Sequence, residues 1–135
     1  MENIQEQMKE LFGGSCYAYC LAYKFTGDYD IKELTSYLLE GWKKGYIDDM
    51  GYVSKPVLYV NNILLLPEST KIKDVKKVDF KKSLLTEEIN IVMYEYNGGT
   101  HFICMNKDGD VIFDPSGNSN SVKYGVPISI RKYIL

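Results

Sequence analysis

His101 is the only histidine in the chain, and a lone histidine is more often structural than catalytic. Its neighbours supply a second reading. Gly98-Gly99-Thr100 precede it, and glycine lets a backbone approach another group closely. Thr100 to Asn106 and Asp110 to Asp114 read as paired strands, with Asp108-Gly109 between them suited to a type I′ turn. A two-residue loop there sets Lys107 opposite Asp110, Ile103 opposite Asp114 and His101 opposite Ser116. His101 and Ile103 share one face, so Asp114 lies on the face of His101, one diagonal away. Diagonal neighbours are roughly 7–8 Å apart at the backbone, a gap that two polar side chains span. In this register the acid accepts a bond from one ring nitrogen and orients the other. A slip of one residue would turn Asp114 to the wrong face.

A base needs a group to activate, and the three cysteines differ in their claims. Cys16 follows Gly13-Gly14-Ser15 and opens a helix. Unpaired N–H groups and the helix dipole at that end favour an anion, which is the reactive form of a thiol. Cys20 lies one turn deeper on the same face and reads as a buried thiol. Cys104 alternates away from His101 along its strand and is expected on the opposite side of the sheet. Zinc held by Cys16, Cys20, His101 and Asp114 is a weaker alternative, because a Cys-x3-Cys pair with one distant histidine is a poor ligand pattern. No metal or cofactor is expected.

The elements that must hold these residues divide by period. Asn3 to Phe12 has the apolar spacing of a short amphipathic helix. Ser15 is a suitable N-cap for a second helix, Cys16 to about Phe25, which Gly27 stops. A third helix runs from its cap Asp30 to Lys44, with Gly45 following and Trp42 expected as core or rim packing. Ser54 and Pro56 start a fourth, Lys55 to Leu64. Lys71 to Val78 reads as an edge strand, Ile89 to Tyr96 as a central one, and Val126 to Leu135 as the last, with Pro127 at its start or at an edge. Helices over about 1–66 and a sheet over about 70–135 make one α+β domain, a helical lobe packed on an antiparallel sheet.

An early Cys at a helix start, then Thr100-His101-Phe102 on a strand, then Phe113-Asp114-Pro115 at the end of the next, resembles the papain-like cysteine peptidase superfamily. The likeness is to small bacterial members such as the bacteriocin-leader (double-glycine) peptidases. Gly45-Tyr46-Ile47-Asp48 with Gly51-Tyr52-Val53 also resembles uncharacterised small phage and bacterial proteins of that group. The resemblance implies a papain-like fold with Cys16 as nucleophile, His101 as base and Asp114 as the orienting acid. One position departs from the pattern. The family often has Gln six residues before the Cys as an oxyanion donor, and here that residue is Glu10, whose carboxylate would repel an oxyanion. Gln7, on the same helix face, is the candidate substitute, with the Cys16 backbone N–H as the second donor.

The implied reaction is acyl transfer on a peptide or amide: thiolate attack, protonation of the leaving amine by His101, and hydrolysis of the thioester. Peptide hydrolysis comes first; deamidation and transfer to another amine use the same parts. The alternative is a catalytically lapsed relative acting as an interaction module. The twelve tyrosines suit such a surface, with Tyr17, Tyr19, Tyr23, Tyr46, Tyr52 and Tyr124 as the ones near the site, but half-buried packing is the first reading of most of them.

Composition narrows the other classes. The chain is 45% hydrophobic and 25% charged with a formal net charge of −2, so no basic excess is available to neutralise phosphates and nucleic-acid binding is not expected. Residues 1–70 carry 6 Lys/Arg against 10 Asp/Glu, and residues 71–135 carry 10 against 8. The local run Lys71, Lys73, Lys76, Lys77, Lys81 and Lys82 reads as protection of a sheet edge; a surface for an acidic partner is the other reading. Three cysteines do not suggest a disulfide scaffold. MENIQEQMKEL has neither the basic nor the apolar region of a signal peptide, and Ile63 to Leu66 is too short to cross a bilayer. A cytoplasmic protein with free thiols, a peptide or protein substrate and no membrane partner is the expectation; nothing in the sequence specifies an oligomeric state.

Overall fold

Glycine, proline and cap residues set the ends of the helices, and the apolar stripes between them set how they pack. The computed structural model describes residues 14–117 and 119–135; the helix read over Asn3–Phe12, and with it Gln7 and Glu10, lies outside the described residues. Helix α1 (Cys16–Thr26) ends at Gly27 in the left-handed conformation, whose N–H returns to Tyr23 O. Its Ala18, Tyr19, Cys20, Leu21 and Ala22 are wholly buried. Helix α2 (Ile31–Lys43) starts where the Asp30 carboxylate accepts from Lys32 N and buries Leu34 and Leu38.

The fourth helical segment is not uniform as expected. An α-helical turn, α3 (Pro56–Tyr59), gives way to a wider π-helical turn over Val60–Leu64, closed by Leu65 N donating to Val60 O. Asn61 in that turn clamps Ile72: its amide donates to Ile72 O and its oxygen accepts from Ile72 N, both at 2.9 Å. The clamp passes the chain from helices to sheet.

Strands β1 (Asp74–Asp79), β2 (Asn90–Tyr96), β3 (Gly99–Met105), β4 (Val111–Phe113) and β5 (Val126–Ile134) form an antiparallel sheet in the order β1-β5-β2-β3-β4. The lysine-bearing β1 is at an edge and the apolar β2 is in the middle, as their compositions suggest. Pro127 sits second in β5, next to a bulge where the partner shifts from Ser129 to Pro127. One sheet face, carrying Ile91, Cys104 and Phe113, packs under the helices. The other, carrying Val92, Tyr94, Ile103, Met105 and Ile130, is covered by Leu84, Leu85, Phe80 and Val122. The molecule is therefore α+β, helices followed by a five-stranded antiparallel sheet among the described residues. No helix among them is long and apolar enough to cross a membrane.

Two turns correct the sequence reading. Asn97 and Gly98, with φ of 53° and 81°, make the two-residue β2–β3 turn, the pairing of types a type I′ turn requires. At Asp108-Gly109 only the glycine has positive φ. Asn106 N donates to Asp110 O and Gly109 N to Asn106 O, so the loop has three residues and is not type I′. Both turn forms are open to Asp-Gly.

Candidate active site

A bulge restores the register that the longer turn would have shifted. Near the turn Met105 pairs with Val111, and beyond the bulge Cys104 pairs with Phe113, which is the alignment a two-residue loop would have set. Asp114 follows Phe113 at the end of β4, while His101 pairs with Tyr94 on β3. His101 Nε2 donates to Asp114 Oδ1 at 2.7 Å, and both side chains are buried.

The carboxylate is held from several directions. Ser116 N donates to Oδ1 at 2.9 Å, and Ser119 donates to Oδ2 through Oγ at 2.8 Å and N at 3.3 Å. Ser119, to which the sequence reading gives no role, also caps a short helix, α4 (Asn120–Tyr124), by accepting from Val122 N. The Asp-Pro-Ser run signals the Ser116 bond alone: an Asp accepts readily from the backbone two residues on.

Burial alone would lower the His101 pKa. The bond to Asp114, and after it the Cys16 thiol as the imidazole's other partner, outweigh burial and push it up to about 9. Burial works against the Asp114 carboxylate too, but the bonds from His101 and Ser119 outweigh it and hold the group below its ordinary value. At neutral pH the pair is imidazolium and carboxylate. With Nε2 committed to Asp114, Nδ1 is the ring nitrogen left to serve the thiol.

Cys16 is the first residue of α1 and is 8% exposed. Ser15 stands at the N-cap position but makes no side-chain capping bond, contrary to expectation. Its hydroxyl is buried without a hydrogen-bond partner, so it does not occupy the free N–H groups of the first turn. Cys20 is fully buried, and burial, then Cys104, push its thiol well above the ordinary value. Cys104 lies in the core under α1 with its Sγ 3.8 Å from Cys20 O, on the face that alternates away from His101. Among the described residues no group of three or more His, Cys, Asp and Glu converges as metal ligands.

The aromatic residues are divided between core and surface. Tyr19 is wholly buried and bonded to Thr35, so it serves packing, and the half-buried Tyr23 stacks on Phe113. Trp42 is 43% exposed at the rim and donates to Asp49. No family model matches the chain, and no curated protein or solved structure is significantly similar to it.

Proposed function

We propose that the protein is a papain-like cysteine hydrolase that transfers an acyl group from a peptide or amide to Cys16 and then to water. The observation that carries this reading is the His101 Nε2 to Asp114 Oδ1 bond of 2.7 Å, on an imidazole whose charge the neighbouring Cys16 thiol helps to hold. A buried carboxylate fixes the ring, and the charged ring stands beside the sulfur that is to attack.

In the first half-reaction the Cys16 sulfur bonds to the carbonyl carbon. As the C–N bond breaks, His101 gives a proton to the leaving amine. In the second, His101 takes a proton from water as its oxygen attacks the thioester, and Cys16 leaves as thiolate. Asp114 remains ionised and keeps the imidazole oriented. The Cys16 backbone N–H is one candidate oxyanion donor, and Gln7 is the other. The substrate is a polypeptide, and the working compartment is the cytoplasm, where the three thiols stay reduced.

The test is timed labelling with limiting iodoacetamide near pH 6, read by peptide mass spectrometry, alongside turnover of a peptide library. Cys16 should label well before Cys20 and Cys104. His101→Ala should slow that labelling, and Cys16→Ala should abolish turnover while the protein still folds. Equal labelling of the three thiols, or labelling of Cys16 indifferent to His101, would overturn the reading.

A further inference from the structure

The sheet has two unlike edges. His101 and Asp114 belong to the side of β3 and β4, and β1 closes the other side. Lysine on an exposed edge strand is the ordinary guard against stray pairing, and Lys76 and Lys77 of β1 are exposed. A guard requires charge on the edge strand alone. Here the inner neighbour β5 repeats the sign: Lys76 stands directly opposite Lys132, and Lys77 directly opposite Arg131. Like charges directly opposite one another destabilise a sheet, and this edge carries such a pair on each face. Residues 71–82 hold six lysines against Asp74 and Asp79, in a chain of net charge −2. Among the described residues none of those lysines, nor Arg131 or Lys132, forms an ion pair with a carboxylate. The Lys132 ammonium goes instead to Leu84 O and Thr86 Oγ1, and the Arg131 guanidinium to Ser129 Oγ and the face of the Phe102 ring.

The backbone of this edge is open to pairing. Phe80 continues the β1 register and donates its N–H to Ile128 O at 2.9 Å. In an antiparallel ladder the alternate residues Val75, Lys77 and Asp79 therefore turn their N–H and C=O outward. Asp74 Oδ1 takes the N–H of Val75, which leaves Lys77 and Asp79. A second copy of β1 does not fit here: centred and antiparallel, it would set Lys76 against Lys77 and Asp74 against Asp79. We propose that the β1 edge takes an extended acidic segment of another polypeptide as a sixth strand, with two successive acidic residues opposite Lys77 and Lys76, one for each face of the sheet. Apolar residues on either side of that pair meet Val78 and Val75. The two carboxylates relieve the cation opposition that the sheet alone leaves in place. A nucleic acid matches the charge but not the outward main-chain groups, and Asp74 and Asp79 at the two ends repel a continuous polyanion. The pairing does not rest on the reading of Cys16 as nucleophile.

The test uses Cys16→Ala, so that a bound peptide is not cut, and two probes followed by NMR at low salt: acetyl-Thr-Val-Glu-Glu-Val-Thr-amide and the same peptide with both Glu changed to Gln. The acidic peptide should bind about tenfold more tightly than its Gln counterpart, a margin of the size that two surface charge pairs supply. Most of that margin should vanish at about 0.5 M salt. On saturation, hydrogen exchange at the Lys77 and Asp79 amides should slow. Adding Lys76→Glu/Lys77→Glu should abolish the margin while the urea midpoint holds or rises, because each change turns a like-charge cross-strand pair into an opposite one. Four results would each overturn the proposal: equal binding of the two peptides, a margin unaltered by the charge reversal, Lys77 and Asp79 amides that exchange as before, or tighter binding of single-stranded oligothymidylate than of the acidic peptide.

Discussion

The smallest scale at which the proposed chemistry can be checked is one imidazole, and the chain has only one. A histidine titration by NMR therefore carries a single assignable signal. Its midpoint should lie near 9 in the wild type, far above the ordinary 6.5. Asp114→Ala removes the strongest influence raising it and leaves burial, which lowers it, opposed by the Cys16 thiol alone, so the midpoint should fall. Ser119→Ala takes away one of the bonds that keep the carboxylate ionised and placed. It should lower the midpoint by less, and cut Cys16-dependent turnover on the order of tenfold through misplacement of the acid. A midpoint unchanged in Asp114→Ala would show that the bond does not govern the ring.

At the scale of elements, the sequence was a good guide wherever one residue type has one structural meaning. Asp30 and Gly27 bound their helices as their chemistry requires, and the apolar run Ile91 to Tyr94 became the strand buried on both faces. Asp108-Gly109 fits two turns of different length, and only the later bulge in β4 decides which face Asp114 takes. Local patterning cannot reveal that compensation. Nor does any spacing rule place Tyr52 on Gly14, thirty-eight positions away, or show that Gly41 must be a glycine. Gly41 sits mid-helix in α2, where alanine would ordinarily add about 1 kcal/mol of stability. Here a Cβ would stand 2.6 Å from Tyr59 Cε1 and 2.9 Å from Ile47 Cδ1, and both of those side chains are fully buried. Gly41→Ala should therefore destabilise, by about 1–3 kcal/mol of overpacking less the propensity gain, as measured by urea unfolding. A stabilised variant would mean that the α2–α3 contact is looser than its geometry.

For the molecule as a whole, the site should leave a signature in the pH dependence of stability. His101 is raised in the folded state to about 9 from 6.5. The folded protein therefore holds a proton that the unfolded chain releases, and the stabilisation is complete below pH 6.5 and lost as pH climbs through about 9. Asp114 is lowered, so its contribution is complete above the ordinary carboxylate range and lost as pH falls through its folded value. Between the two, from roughly pH 5 to 6.5, both are present and stability should be greatest. Other buried groups fall outside the decisive window. Cys20, held by burial well above its ordinary 9.0, adds a loss only from about pH 9 upward. Tyr17 and Tyr19, pushed by burial from 10.0 to about 12, act only above about pH 10. With Cys16 replaced by Ala, so that no thiol beside the ring titrates against it, the decline between pH 6.5 and 8.5 belongs to His101 and should reach at most about 3 kcal/mol. Urea midpoints across that interval should fall in Cys16→Ala and stay nearly level when His101→Gln/Asp114→Asn is added, which keeps two hydrogen-bonding side chains of similar size but no titrating pair. A Cys16→Ala profile as flat as that of the triple variant would mean that the imidazolium–carboxylate pair contributes nothing net to the fold.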